Sequence, residues 1–338
     1  MVRNGGVGHV GALALAGVMA LTAPLAASVP RFDELYVFGD SLSDPGNLFA
    51  LTQLLPGGPL PPSPPYFDGR VSDGPVWADL IAQDYAAAGR PVTNYAFAFG
   101  RVISPTEVDL NEPASFLPIN LGDQIASFVA STAMAPANSA AILLMGANDA
   151  FQSLRLAADE PPGTPGGVVV ANIAARAQAA VDGIAAAAAT LRDRGVGTLV
   201  LMNLPDLGQV PAFSGDPGSS LLASLATLSF NTALAAETFP GMEVERIDVA
   251  GLFAGLLADP GAFGLTGLGP CLDLDATPMT LCDNPTELAF FDRVHPNSVV
   301  HAALAAEVRQ AVAIPLPAAG WLLLGGLALL AGAARRRV

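Results

Sequence analysis

Lysine is absent from this 338-residue chain, in which all 15 basic residues are Arg and 30 residues are acidic. The resulting net charge of −15 excludes a nucleic-acid binder, which needs a basic surface to meet the phosphates. The two Cys residues are too few for a disulfide-rich scaffold or a Cys-rich metal site. Charged residues make up 13% and hydrophobic residues 52%, a composition that excludes a disordered chain.

The N-terminus has the layout of a secretory signal peptide. Arg3 is followed by an apolar run at 10–21 and then by small residues. We expect residues 1–27 to be this signal, with cleavage after Ala27 or Ser28. The alternative is a buried N-terminal helix, which the Gly residues of this segment would weaken.

The C-terminus combines a short motif, an apolar stretch and a basic tail. Ile314-Pro-Leu-Pro-Ala318 leads into a run of 17 uncharged residues that begins at Ala318 and ends before Arg335. This arrangement resembles the VPLPA variety of the PEP-CTERM sorting signals of Gram-negative bacteria. The resemblance implies Sec-type export and an exosortase-like enzyme that recognises and removes residues 314–338. The alternative is a plain C-terminal membrane anchor with its Arg cluster in the cytoplasm.

The body of the chain, residues 28–313, alternates strands with helices. It holds 11 Arg against 30 Asp and Glu, a net charge of −19. Its periodicity predicts strands at 35–38, 91–95, 140–145, 198–202 and 242–247, and helices at 76–84, 168–191, 221–236 and 299–312. This alternation predicts one α/β domain with a parallel sheet covered on both faces. In such sheets ligands bind at the carboxyl ends of the strands.

Two polar residues stand directly after predicted strands. Ser41 follows the first strand and a Gly turn, and the pattern predicts that it opens a helix, where developing negative charge is favoured. Such a serine is a nucleophile if a base lies near, or else a helix N-cap. Asn148 follows the strand at 140–145, where its amide is a candidate oxyanion donor or a turn residue.

The chain has three His residues, so few candidates exist for a general base. His9 leaves with the predicted signal, and His301 falls in the last predicted helix as a structural or rim residue. His295 is therefore the best candidate base of the body, and Asp292, three residues earlier, can orient its imidazole.

Together these motifs resemble the SGNH, or GDSL, family of serine esterases and lipases. Three blocks occur in the order typical of that family: Gly39-Asp-Ser-Leu42, Gly146-x-Asn148-Asp149 and Asp292-x-x-His295. Shorter stretches at 66–77 and 203–208 are similar to its bacterial lipase branch.

The resemblance implies a fold and a mechanism. The fold is a three-layer α/β/α sandwich with a mostly parallel, flavodoxin-like sheet. The implied reaction is ester hydrolysis by a triad of Ser41, His295 and Asp292. Its oxyanion hole consists of the Ser41 N–H, the Asn148 amide and a backbone N–H near Gly100. No metal or cofactor is expected, because neither a HExxH pattern nor a His cluster occurs.

The second block departs from the family pattern. Ala98 and Phe99 stand where a Gly pair is expected, and the single Gly follows one position later. We take Gly100 as the nominal donor, while the N–H groups of Ala98 and Phe99 remain alternatives. Because the protein is predicted to be exported, we expect Cys271 and Cys282 to form a disulfide.

The sequence therefore predicts an exported lipase or esterase at the cell surface, in the periplasm or outside the cell, acting on acyl or lipid esters. A carbohydrate esterase that removes acetyl groups from extracellular polysaccharide would use the same triad. A third possibility is a non-catalytic surface or matrix protein on the same scaffold.

Overall fold

The computed structural model describes residues 29–314. The predicted signal peptide, residues 1–27, lies outside this range. So does nearly all of the predicted sorting signal, residues 314–338.

A five-stranded parallel sheet forms the centre of the fold. The strands of the structure are, in chain order, β1 (Val29–Pro30), β2 (Glu34–Gly39), β3 (Val92–Asn94), β4 (Ser139–Leu144), β5 (Thr198–Met202), β6 (Glu243–Ile247), β7 (Gly267–Pro270), β8 (Leu272–Asp273), β9 (Thr280–Leu281), β10 (Leu288–Phe290) and β11 (Ala313–Ile314). The central sheet has the order β3-β2-β4-β5-β6, with every neighbouring pair parallel. This is the flavodoxin-like order, which reverses between β2 and β4, and it confirms the predicted fold class.

The composition of each strand follows from its place in the sheet. β4 and β5 are buried along their whole length, as expected for uninterrupted apolar strands covered on both faces. β6 is one of the two edge strands and keeps acidic residues that face solvent. The Arg31 guanidinium bridges two of them across this edge, at 2.7 Å from Glu243 and 2.6 Å from Glu245. The alternating pattern of 242–247 therefore reflects an edge position.

Helices cover both faces of the sheet. They are α1 (Asn47–Thr52), α2 (Trp77–Ala87), α3 (Leu121–Ser131), α4 (Ala147–Ala158), α5 (Gly166–Asp193), α6 (Pro211–Ser214), α7 (Pro217–Ala236), α8 (Val249–Ala258) and α9 (Ser298–Val312). α2 packs against α9, whereas α5 packs against α3, α4 and α7, so two separate helical layers enclose the sheet. By length and composition alone α5 and α7 could cross a membrane. Their buried residues Ile184 and Phe230 nevertheless belong to the main hydrophobic core.

A disulfide closes the hairpin of β8 and β9 next to β10, as the sequence predicts. Cys271 is bonded to Cys282, and β8 pairs with β9 inside the loop that they close. The Leu272 N–H donates to the Phe291 carbonyl at 2.6 Å, which ties this hairpin to the chain just before Asp292.

Replacing both Cys271 and Cys282 by Ser should lower the free energy of unfolding by ~2–3 kcal/mol, because the unfolded chain gains the entropy of an open loop. Urea denaturation of the double variant and of the reduced wild-type protein should give the same loss. Reaction of both thiols with a maleimide in the native, non-reduced protein would contradict this prediction.

Candidate active site

Ser41 lies in a tight turn at the carboxyl end of β2. A Cβ on Gly39 would come within 2.8 Å of the Leu144 carbonyl oxygen, so only Gly lets the turn approach β4 this closely. The prediction that Ser41 opens a helix is wrong, since α1 begins at Asn47. The Ser41 N–H instead belongs to a turn, and no acceptor for this N–H lies among residues 29–314.

The Asp44 carboxylate organises the chain around this turn. Its two oxygens accept the N–H groups of Gly46, Asn47 and Leu48 at 2.8, 2.5 and 3.1 Å. One of them also accepts the N–H of Ala98 at 2.8 Å. Asp44 is fully buried, so these four bonds replace water around its oxygens. The serine turn and the loop after β3 are thereby held together.

Side-chain amides add a second connection between the same two loops. Asn47 Nδ2 donates to the carbonyls of Asn94 and Ala96, at 3.0 and 2.9 Å. Asn94 Nδ2 in turn donates to the Ser43 carbonyl at 2.9 Å.

The predicted base and acid lie beside the serine. His295 Nε2 is 2.9 Å from Ser41 Oγ, and His295 Nδ1 is 2.8 Å from Asp292 Oδ2 and 3.0 Å from Asp292 Oδ1. The Asp292 carboxylate also accepts the N–H groups of Val294 and His295, at 2.8 and 2.7 Å. Both loops lie at the carboxyl edge of the sheet, where the strand order reverses and ligands bind.

Burial and mutual charge set the protonation of this pair. Burial of Asp292 opposes ionisation, but the charge of His295 and hydrogen bonds from its ring and N–H hold the pKa of that carboxyl well below its usual range. Burial by itself lowers the pKa of His295. The charge of Asp292, the hydrogen bond to it and the charge of Asp40 outweigh burial and raise this pKa above 6.5. Burial also raises the pKa of Asp40 to about 7.

Tyr66 is a site residue to which sequence reasoning assigned no role. Its hydroxyl donates to Asp292 Oδ2 at 2.7 Å, and its ring packs edge-on against Phe291. The bond spans 226 positions along the chain, so no local pattern could have revealed it. Burial and the negative charge of Asp292 raise the pKa of this phenol, which keeps it a proton donor.

Asn148 stands in the first turn of α4, immediately after the sheet. Gly146 precedes the helix with φ +127°, and a Cβ there would overlap the Phe230 ring at 2.5 Å. The Asn148 amide donates one hydrogen to the Gly100 carbonyl at 2.9 Å. Its second amide hydrogen has no acceptor within residues 29–314, and the oxyanion role of Asn148 stays a prediction.

The loop after β3 leaves a different donor from the one chosen on sequence grounds. The Ala98 N–H donates to Asp44 at 2.8 Å, and the Gly100 N–H donates to the Phe97 carbonyl at 3.1 Å. Gly100 is therefore a poor choice, and its missing Cβ serves packing, since one would lie 2.7 Å from the Ile119 carbonyl. Phe99 has φ +64°, unusual for a residue with a side chain, and its N–H has no acceptor within the described residues.

His301 is buried in α9, away from the serine. Its Nδ1 accepts the Trp77 N–H at 3.4 Å, and burial lowers its pKa to about 3, so it stays neutral. This is the structural position that the sequence indicates. In the described part of the chain, no group of three or more His, Cys, Asp and Glu side chains is arranged to hold a metal ion.

A cavity of about 740 Å³ opens over the serine. Several of its walls come from the Pro/Gly-rich loops between the regular elements. Its lining is largely apolar and includes Leu60, Tyr66, Val71, Ala98, Phe99, Ala114, Phe151, Leu272 and Leu274. An apolar hollow of this size next to a serine can hold a hydrocarbon chain.

Comparison with known proteins identifies the class of enzyme and then the family. The family model described as GDSL-like Lipase/Acylhydrolase matches residues 35–308. The protein is a carboxylic ester hydrolase. It belongs to the GDSL-like lipase/acylhydrolase family.

Individual relatives are more distant. A phosphatidylcholine-sterol acyltransferase of Aeromonas hydrophila is 30% identical over 256 residues, which cover 75% of this chain and 69% of that protein. A thermolabile hemolysin of Vibrio parahaemolyticus is 24% identical, covering 83% of this chain and 64% of its own length. An extracellular lipase from Streptomyces rimosus is 15% identical with a TM-score of 0.46, over 82% of this chain and 99% of that one.

Replacing Tyr66 by Phe should raise the pKa of His295 by about one pH unit. With one donor fewer on its oxygens, the Asp292 carboxylate attracts the imidazolium proton more strongly. NMR titration of the imidazole ring protons measures this pKa. Tyr95→Phe is the matched control, because its hydroxyl contacts Ser131 at 2.7 Å in an exposed position. An equal pKa in wild type and Tyr66→Phe would contradict the assignment.

Proposed function

We propose that this protein is an exported serine esterase or lipase that uses Ser41, His295 and Asp292 as its catalytic triad. The observation that carries this proposal is the continuous chain of short contacts from Ser41 Oγ through the imidazole to Asp292 Oδ2, at 2.9 and 2.8 Å. A nucleophile, a base and an orienting group in hydrogen-bond reach are what acyl transfer requires.

In the proposed reaction, Ser41 Oγ attacks the ester carbonyl while His295 Nε2 takes its proton. The imidazolium is stabilised by Asp292, and it then protonates the leaving alcohol. Water hydrolyses the acyl-enzyme by the same proton transfers in reverse. His295 must be neutral to act as base, so its raised pKa implies that activity increases with pH through values above 6.5.

Three donors would stabilise the oxyanion: the N–H groups of Ser41 and Phe99, and the free hydrogen of the Asn148 amide. Phe99 replaces Gly100 in this proposal because its N–H has no acceptor among residues 29–314, whereas the Ala98 and Gly100 N–H groups are engaged. Holding a Phe at positive φ costs backbone energy, which the Asp44 bond to Ala98 one residue earlier helps to offset.

The large apolar cavity favours esters of longer acyl chains over acetyl esters, which would fill little of its 740 Å³. The named activity of the Aeromonas relative is an acyl transfer from a phospholipid, which is in keeping with such a substrate. An acetyl esterase acting on polysaccharide remains the second candidate, and a profile of activity against acyl length separates the two.

We further propose that residues 28–313 form the catalytic domain between a signal peptide at 1–27 and a sorting segment at 314–338. The partners on this route would be Sec-type machinery and an exosortase-like enzyme. The Cys271–Cys282 disulfide supports export, because such bonds persist mainly outside the reducing cytoplasm.

Replacing Ser41 by Ala should lower hydrolysis of p-nitrophenyl acetate, butyrate and octanoate by ~10³-fold or more, because the nucleophile is lost. In the wild type, kcat/KM should rise from acetate to octanoate. Ser43→Ala is the control, since Ser43 lies in the same turn and its hydroxyl has no partner among the described residues. Undiminished activity of Ser41→Ala, or failure of Ser41 to react with a fluorophosphonate probe, would reject the proposal.

Replacing Asn148 by Ala should lower kcat by ~10²–10³-fold with little change in KM, because its amide hydrogen is needed in the transition state. Asn111→Ala is a matched control, because Asn111 lines the same cavity and, within the described part of the chain, its side chain bonds only to Asp109.

A crystal structure of the protein with a phosphonate ester bound covalently to Ser41 would decide between the Phe99 and Gly100 N–H groups as the backbone donor. The phosphonyl oxygen should lie about 2.7–3.1 Å from the Phe99 nitrogen. An oxygen bound to the Gly100 nitrogen would overturn this assignment.

A further inference from the structure

One end of the cavity wall carries two guanidiniums that share a single carboxylate. Arg101 Nη2 lies 3.1 Å from Glu112 Oε2, and Arg155 Nη2 lies 2.5 Å from Glu112 Oε1. All three side chains line the cavity that opens over Ser41. Farther along the wall Arg293 is neutralised by Asp275 at 2.8 Å, so positive charge in excess of acid is confined to this end.

Arg101 is unusual because it is buried without enough acceptors. It is only 5% exposed, its single side-chain acceptor is Glu112, and its Nε has no partner within residues 29–314. A buried guanidinium with unmet donors is costly unless it binds an anion. The backbone of Arg101 is held against the N-terminus of α3. Its N–H donates at 3.1 Å to Oδ1 of Asn120, the residue before that helix.

Arg155 faces the same cavity from α4. It follows Asn148 by seven residues, which places both on one face of the helix and about 10 Å apart along its axis. Phe151 lies between them and also lines the cavity. Along one face, α4 therefore presents the candidate oxyanion donor Asn148, the ring of Phe151 and the cation Arg155. In a bound ester, a group that reaches Arg155 would lie several bonds from the scissile carbonyl.

Arg101, Glu112 and Arg155 together form an ion-pair bridge. Acidic residues on the side of this bridge that faces away from the cavity favour binding of an anion on the cavity side. The same three residues border an adjoining groove of about 590 Å³, which is also lined by the acidic residues Glu107, Asp109, Asp149 and Asp159 and by one further cation, Arg176. Asp149 is engaged there as acceptor of the Val102 and Ile103 N–H groups, at 2.9 and 2.8 Å. Acidic side chains outnumber Arg along this groove, so a negative group is favoured on the cavity side, where the Arg101 and Arg155 side chains meet.

We propose that Arg101 and Arg155 form a subsite for a carboxylate or phosphate group of the ester substrate, at the position that the Glu112 carboxylate occupies. The substrate anion exchanges with Glu112 and meets the planar donors of both guanidiniums. The substrate class is an ester with one negative group several bonds from the scissile carbonyl. That group belongs either to the far end of the acyl chain or to the alcohol part. This inference rests on the proposed esterase function.

Matched pairs of substrates test the subsite. Mono-p-nitrophenyl suberate differs from p-nitrophenyl octanoate by a carboxylate in place of the terminal methyl, and a short-chain phosphatidylglycerol differs from its diacylglycerol by the anionic phosphoglycerol headgroup. The measured quantity is kcat/KM for the anionic ester divided by that for its neutral partner. A change in the first pair assigns the anion to the acyl chain, and a change in the second assigns it to the alcohol.

In at least one pair, Arg155→Gln should lower the ratio about tenfold, the size expected for losing hydrogen bonds to a charged group. Glu112→Gln should raise it several-fold, because the competing carboxylate is gone. Arg155 is 55% exposed on its side chain, so its substitution is compatible with folding. Arg192→Gln is the matched control for net charge, since Arg192 pairs with the exposed Asp193.

The subsite would be overturned if Arg155→Gln and Glu112→Gln both kept the wild-type ratio of kcat/KM in both substrate pairs. The ion-pair bridge would then only support its loop. This outcome is distinct from failure of the proposed esterase activity. That failure would appear as absent or Ser41-independent hydrolysis of the neutral octanoate.

Discussion

The buried carboxylate of Asp44 is the interaction on which the site depends most. A carboxylate can lie fully inside a protein only if hydrogen bonds replace its water, and here four backbone N–H groups do so. Three of them belong to the chain after the serine turn and the fourth, Ala98, to the loop after β3. The same four bonds that make this burial tolerable therefore align the candidate nucleophile with the candidate oxyanion loop.

The parallel sheet brings the remaining groups to the same place. Because the strand order reverses between β2 and β4, the chain leaves these strands on opposite sides and a crevice opens between them. Ser41 follows β2 and Asn148 follows β4. The loop before α9 carries Asp292 and His295 to this crevice, where Tyr66 and the disulfide-closed hairpin support it. The charges of the pair stabilise each other in surroundings that would otherwise suppress both.

Much of the fold could be predicted because its signals are local. The strand predicted at 198–202 matches β5, and helices at 168–191 and 299–312 match α5 and α9 to within two residues. Helices α1, α3, α4, α6 and α8 lie outside the predicted helical ranges. For α4 the reason is that Gly146 and Asn148 favour a turn by themselves. The following residues do carry apolar side chains at helical spacing, at Ala150, Leu154 and Ala157, and this face packs against α5 and α7.

The sequence by itself indicated the family, a parallel sheet and the candidate site residues Ser41, Asn148, Asp292 and His295, because these depend on residue types in a fixed order. Only the tertiary structure decided which backbone N–H near Gly100 is unengaged. That property depends on φ angles and on acceptors such as Asp44, which no residue type specifies. The hydroxyl of Tyr66 and the bridge formed by Arg101, Glu112 and Arg155 were decided in the same way. Residues far apart along the chain acquire these chemical roles only when folding brings their atoms within hydrogen-bond distance.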